Sequence, residues 1–389
     1  MPKPIRTVSA NKRKKSQPLW KGPIEDGITF SLLSKFVVCP ERFRLKVVEG
    51  VVEDEGFNHA IEFGSLWHEA EEAHSGKKPW KPAIGRYRDK LRANYPSDES
   101  EIRKWYNVAV NTFPLYVDHW RTHEIERGRK PIFEEVSFRV PYKLPSGRII
   151  VLRGKWDCVY RIKASVYLQE NKTKGKIDEE GLQATIDQNL QTMLYQIALR
   201  TIADKKGPEP LNEEMEQVTK RLRGELQSSK IKGVLYNVVR RPLSDQHAIR
   251  QKKTETERQF FKRMVDSISD NPEHYFKRWK VTLTNNDLER FKTRILHPLL
   301  ERLLDWWEWI TADLSDPWRV PTIDELPADV PYDAVRPPAK GVPGGGIHYQ
   351  SPWGVYNSLA GGFRGDYFDF LTTGRRGGLT KIDTLFPEL

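Results

Sequence analysis

The chain is poor in cysteine: Cys39 and Cys158 are the two it has, far apart and in no CxxC pair. A secreted disulfide scaffold and a four-cysteine zinc or iron–sulfur site within one chain are therefore excluded. No apolar run approaches the ~18 residues of a membrane span, and no apolar segment follows the basic N-terminus. Neither a signal peptide nor a transmembrane helix is expected, which points to a cytoplasmic location. No Walker A sequence and no fixed-period repeat occur either, so any helicase activity would belong to another chain. What is abundant is positive charge. Lys and Arg number 64 against 53 Asp and Glu, a net charge of +11 over 389 residues, with a pI near 9.4. A basic surface favours polyanions such as nucleic acid, or an anionic membrane face; DNA is the expected partner, and no membrane is expected.

The informative stretch runs from Arg153 to Lys174. It reads as two strands rich in Val, Ile, Tyr and Trp, broken at Lys163 to Ser165. With the break centred between Lys163 and Ala164, Tyr160 opposes Tyr167 and Asp157 opposes Glu170. Facing carboxylates about 5 Å apart destabilise a strand pair unless a cation compensates. Lys172 lies two residues beyond Glu170, on the same strand face. Asp, then Glu-x-Lys on the next strand, suits a hard divalent cation and phosphodiester hydrolysis. Asp157 and Glu170 supply oxygen ligands, the Asn171 peptide carbonyl a third, and Lys172 a charge for the water or the scissile phosphate. Arg153, Lys155, Lys174 and Lys176 crowd the same stretch and are expected to attract a nucleic-acid backbone.

Along the rest of the chain, residues 1–25 read as a basic, disordered arm. A helix capped by Ser31 and ended or kinked at Pro40 follows, then a second over 57–74. In the latter, Gly64 sits one turn before His68, which implies close approach to another element, with His68 pointing toward it as a nitrogen ligand that suits Mn²⁺ better than Mg²⁺. Residues 76–100 are basic and Pro-containing; 101–126 is helical. A strand from Pro131 with a Pro145–Gly147 turn leads into the central pair. One long helix is expected over 179–203, with Ile186, Leu190, Met193, Leu194 and Ile197 as its core stripe and Gln191 and Tyr195 on one flank. Residues 211–226 read as a solvated charged insertion, Lys232–Val239 as a strand, and 254–270 and 286–312 as helices. One main domain is expected over 26–325, with helical insertions near 205–230 and 245–315. The Pro-, Gly- and aromatic-rich residues 326–389 are expected to pack on it.

Taken together, these motifs resemble the RecB-like branch of the PD-(D/E)XK nuclease superfamily. Phe30–Phe43 is similar to its Ser-x-Leu-x-x-Phe-x-x-Cys-Pro-x-x-Phe segment and Gly64–His68 to G-x-x-x-H. Gly154–Asp157 is similar to G-x-x-D, Glu170–Lys172 to E-x-K and Gln191–Tyr195 to Q-x-x-x-Y. The resemblance implies a mixed α/β fold, a central sheet flanked by helices, and Mg²⁺- or Mn²⁺-dependent cleavage of DNA. It makes His68, Asp157 and Glu170 metal ligands, Lys172 the catalytic lysine, and Gln191 and Tyr195 site residues, with Glu135 as an accessory acid. Relatives with an iron–sulfur cluster carry three further cysteines near the C-terminus; this chain has none there, so no cluster is expected. The similarity of Tyr236–Leu283 to phage-type exonucleases suggests an exonuclease in recombination, repair or phage DNA processing, with a recombination or helicase protein as a conceivable partner. A defence-type endonuclease and a non-catalytic DNA-binding module are the alternatives.

Overall fold

The computed structural model describes residues 18–53, 56–121, 123, 128–185, 188–244, 248–311 and 379–381. The chain begins its secondary structure with α1 (Phe30–Val38) and α2 (Pro40–Phe43). Thr29, not Ser31, caps α1: its side chain accepts the Leu32 N–H. Ser and Thr are both ordinary cap residues, and the helix starts two residues earlier than the sequence suggests. Cys39 is extended between the two helices, and its sulfur accepts the Arg42 N–H, with Pro40 in the first turn of α2. The cysteine of the Cys-Pro motif is thus a buried helix cap. Residues 18–25, assigned to the arm, are folded: Trp20 is fully buried and donates to the Gly27 carbonyl. Residues 1–17 lie outside the described residues.

A short β1 (Val51–Glu53) precedes α3 (His59–Ser75), α4 (Trp80–Asn94) and α5 (Glu99–Arg121). The basic, Pro-containing residues 76–100 are largely the helix α4. Pro82 falls in its first turn, where the missing N–H has no intrahelical partner to lose. The apolar faces of α3, α4, α5 and α9 (below) share one core that includes Phe63, Trp67, Trp105 and Phe113.

Strands β2 (Arg129–Lys143), β3 (Ile149–Ile162) and β4 (Ser165–Lys174) follow as a meander. The β3–β4 pairs run Ile162↔Ser165 through Tyr160↔Tyr167 to Cys158↔Gln169, the register the sequence predicts, with Lys163 left-handed (φ 53°) in the turn. Then come α6 (Glu179–Thr185), α7 (Leu190–Ala203), α8 (Glu213–Glu225) and β5 (Lys230–Arg240). The single helix expected over 179–203 is two, because the Asn189 side chain takes the Thr192 N–H and starts α7 afresh. Ile186 lies outside the described residues. The segment read as a solvated insertion is an amphipathic helix, with Met215, Val218, Thr219 and Leu222 of α8 buried.

α9 (Glu257–Asp270) is started by a Thr256–Gln259 capping box and followed by α10 (Pro272–Tyr275), β6 (Phe276–Thr282), α11 (Asn285–Phe291) and α12 (His297–Ile310). Residues 292–296, a π-turn, join the last two. The final described strand, β7 (Leu379–Lys381), pairs antiparallel with β1; the rest of 326–389 lies outside the described residues.

The main sheet has the order β2-β3-β4-β5-β6, with β3–β4 and β5–β6 antiparallel and β4–β5 parallel. β5 is buried continuously from Gly233 to Arg240, as expected of a strand covered on both faces. At Gly233, just after the β5 residue Lys232 that the register with β4 skips, a Cβ would collide with the Val281 carbonyl, so only glycine fits. The fold is the mixed sheet with flanking helices that the motifs imply.

By its internal contacts the chain forms two units. One comprises residues 1–55, 139–154 and 289–389; Arg148 ion pairs with Glu301 and Asp305 and the Trp20–Trp307 ring contact belong to it. The other comprises 56–138 and 155–288 and contains α3, α5, α7, β4, β5 and β6. Among the described residues no helix is long and apolar enough to cross a membrane.

Candidate active site

The candidate site is built within the second unit, on α3, β2, β3, β4 and α7. α3 is started by Asn58, which accepts the Ala60 and Ile61 N–H groups. A Cβ at Gly64 would stand 3.3 Å from Thr173 Oγ1, so the glycine lets α3 lie close on β4. One turn later His68 faces the same region. Burial pushes its imidazole below the usual range, and the neutral ring keeps a lone pair for a cation at neutral pH.

His68, Glu135 and Asp157 form the first group: one ligand atom from each lies within 4.8 Å of the others. Glu135 reaches it from β2 with a left-handed backbone (φ 51°). For a non-glycine residue that conformation costs on the order of 1 kcal/mol and tends to persist where the surroundings impose it. Burial, reinforced by Asp157, pushes the Glu135 carboxyl up to about 8. Lys155 answers it with an ion pair of 2.8 Å, and lies 3.7 Å from Glu72.

Asp157 lies where the regular β3–β4 pairs end. Its Oδ2 accepts the backbone N–H of Asn171 at 2.8 Å, a side chain closing the gap between two strands. Burial raises its carboxyl, with Lys172, the Asn171 N–H and Lys155 pulling the other way.

Glu170 and Lys172 form the second group, on one face of β4. Glu170 is 1% exposed, and burial raises its carboxyl against the pull of Lys172, with Asp157 adding to the rise. Its Oε2 stands 3.1 Å from Lys172 Nζ as an ion pair, yet neither oxygen has a partner in hydrogen-bond geometry. Burial disfavours the Lys172 ammonium, but Glu170 and Asp157 outweigh it and hold the proton firmly. Gln191 of α7 accepts from Lys172 Nζ at 2.8 Å. Tyr195, one turn on, packs edge-on against Phe138, and burial with Glu170 and Asp157 holds its phenol protonated.

Buried carboxylate oxygens without a hydrogen bond are rare in folded proteins and imply an absent partner. Glu170 Oε1 is such an oxygen, while Oε2 has the Lys172 ammonium; with a neutral histidine and two further carboxyls, the Glu170 carboxylate completes the donor set a hard or borderline divalent ion takes. The residues present fit such an ion.

The structure therefore brings together His68, Asp157, Glu170, Lys172, Gln191 and Tyr195. Glu170 is not one of the three clustered ligand atoms; Glu135 takes that place. Asn171 contributes its N–H to Asp157, while its side chain accepts from Gln169 and from Asn237 of β5. Of the four basic residues, Lys155 touches the first group. Lys174 is exposed and feels the positive charges of Lys172 and Arg241, and Lys176 is exposed beyond it. Arg153 belongs to the other unit, where it donates to the Asp26 carbonyl.

Sequence reasoning missed the buried layer beneath. Glu71 Oε1 accepts from Tyr116 and, at 3.2 Å, from Asn237; Arg278 donates to Tyr116 and, at 2.8 Å, to Asn237 Oδ1. Glu71 lies three residues from His68 on α3, a spacing that hints at one face. Tyr116 reads as plain core, and Arg278 sits on β6, a strand whose alternation of Lys and Arg hides it.

The sequence model of the PD-(D/E)XK nuclease superfamily matches residues 28–281. The chain belongs to that superfamily, a class of divalent-metal nucleases acting on DNA. A search of curated proteins finds no match to the chain.

Proposed function

We propose that the protein is a Mg²⁺- or Mn²⁺-dependent deoxyribonuclease whose active site is formed by His68, Glu135, Asp157, Glu170 and Lys172. The observation that carries this reading is the buried Glu170 carboxylate, ion-paired to Lys172 through Oε2 and with Oε1 lacking a hydrogen-bond partner, beside the His68–Glu135–Asp157 cluster. Bound there, the metal would supply Lewis acidity at the scissile phosphate and lower the pKa of an attacking water. His68, Glu135, Asp157 and Glu170 would hold it. Lys172, fixed by Glu170 and Gln191, keeps a positive charge where the phosphate becomes more negative. Gln191 sets the direction of that ammonium, and Tyr195 offers a protonated hydroxyl beside it. Lys174 and Lys176 extend positive charge from the end of β4 for the flanking phosphates.

The Q-x-x-x-Y and G-x-x-x-H segments support the RecB-like branch, and with it an exonuclease of recombination, repair or phage DNA processing. The test is digestion of end-labelled linear and closed circular duplex with Mg²⁺ or Mn²⁺. Loss of the linear form alone, abolished by chelation and by Glu170→Ala, is expected. Nicking of the circle would make it an endonuclease, and salt-sensitive binding with no cleavage of either would make it a binding module.

A further inference from the structure

Two lysines stand at the site in opposite circumstances. Lys172 is three-quarters covered, and its partners are a fully buried carboxylate and a glutamine side chain. Lys155, two residues before Asp157 on the same face of β3, has a side chain 40% exposed. Its main partner is Glu135 at 2.8 Å, itself one of the three clustered ligand residues; its other is Glu72, a half-exposed surface acid at 3.7 Å. The field of Lys155 reaches the whole cluster, acting on Asp157 and His68 as well as on Glu135. An ammonium so placed does for the carboxylates what a divalent ion would do, and it repels that ion when the ion arrives.

We propose that Lys155 is a built-in counter-ion of the metal site, displaced from Glu135 when the metal binds and thereby freed to contact a DNA phosphate. This rests on the metal-site reading above. It follows that metal and DNA binding are coupled through one side chain. Without metal, Lys155 is held by Glu135 and is not available to a DNA phosphate. With metal, Glu135 turns to the ion, and Lys155 has the length and exposure to reach outward. The flexible four-carbon stem and the surface-exposed alternative partner Glu72 make the exchange a side-chain rotation, with no change of the backbone. Reciprocity requires that DNA raise metal affinity by the same factor as metal raises DNA affinity.

The test compares wild type, Lys155→Met, Lys155→Arg and Glu135→Gln. Mn²⁺ binding is measured by calorimetry without DNA, and binding of a fluorescent duplex by anisotropy with and without Ca²⁺. Lys155→Met is expected to bind Mn²⁺ several-fold tighter than wild type, because the competing cation is gone. It is also expected to lose most of the Ca²⁺-induced gain in DNA affinity, and Lys155→Arg to retain that gain. Weaker or unchanged Mn²⁺ binding by Lys155→Met, or an undiminished Ca²⁺ effect on its DNA affinity, would overturn the exchange. Wild-type protein that binds no Mn²⁺, or Glu135→Gln that binds it equally well, would instead overturn the metal-site reading itself. Circular dichroism of each variant separates these outcomes from misfolding, and Lys155→Arg keeps the charge should Lys155→Met be unstable.

Discussion

Asp157 Oδ2 accepts the backbone N–H of Asn171 at 2.8 Å, so a candidate metal ligand on β3 is tied to the strand that carries Glu170 and Lys172. The tie fixes Asp157 against β4 in place of a regular ladder bond. It also sets two carboxylates, Asp157 and Glu170, at neighbouring places on paired strands. Asp157→Asn keeps an acceptor for the Asn171 N–H and is expected to fold with near wild-type stability, while losing metal affinity by a factor of about 10 to 100 or more. Chemical denaturation beside Mn²⁺ calorimetry checks both halves.

The Glu135 carboxyl, ordinarily near 4.5, stands near 8 because burial and Asp157 disfavour its charge. The folded state therefore holds a proton that the unfolded chain has released, and stability must fall with pH across that interval. The contribution is complete below about 4.5 and is lost as pH rises through about 8. Thermal unfolding of metal-free protein between pH 6 and 9 is expected to show this decline, with Glu135→Gln shallower and Mg²⁺ reversing the trend. A proton released on metal binding at pH 6 to 7, read from calorimetry in buffers of different ionisation heat, is the companion measurement.

Gly64 gives α3 its close seat on β4. Gly64→Ala puts a methyl 3.3 Å from Thr173 Oγ1, a contact that a slight hydroxyl shift relieves. Gly64→Val does not fit so easily and is expected to move the helix outward, carrying His68 with it. Metal affinity should fall at least about tenfold, as for other losses of ligand placement, with Gly64→Ala near wild type.

Arg278, Tyr116, Asn237 and Glu71 form one buried network under the site. Removing the guanidinium leaves the Glu71 carboxylate without its nearby cation. Arg278→Met also leaves the buried Asn237 Oδ1 without its donor and is expected to destabilise the protein by about 1–3 kcal/mol, the cost of an unsatisfied buried polar group. Adding Glu71→Gln should restore part of that loss in urea unfolding.

How much of this was legible beforehand differs by element. The β3–β4 hairpin was readable to the residue, because its alternation of Val, Ile and Tyr around a two-residue break leaves one register, and Tyr160↔Tyr167 confirms it. The close approach at Gly64 was readable from the cost of glycine inside a helix. α4 was not, since Pro82 reads as a breaker unless the helix start is known. β6 was not, since its Lys277, Arg278 and Lys280 give no apolar alternation, and the strand exists by pairing with β5. Glu135 joined the site through a left-handed backbone that no propensity predicts. Glu170 kept its predicted neighbour Lys172, but its oxygens stand apart from the three clustered ligand atoms, a matter of side-chain direction that spacing does not fix.

The most direct test of the central claim sets cleavage against metal binding in Lys172→Ala. Its ligands are intact, so the account predicts Mn²⁺ binding within a few-fold of wild type. Hydrolysis of linear duplex should be slower by a factor of about 10² or more, the usual cost of removing one charge that stabilises the transition state. Cleavage by Lys172→Ala at the wild-type rate, with chelation still abolishing it, would contradict the assignment of the site.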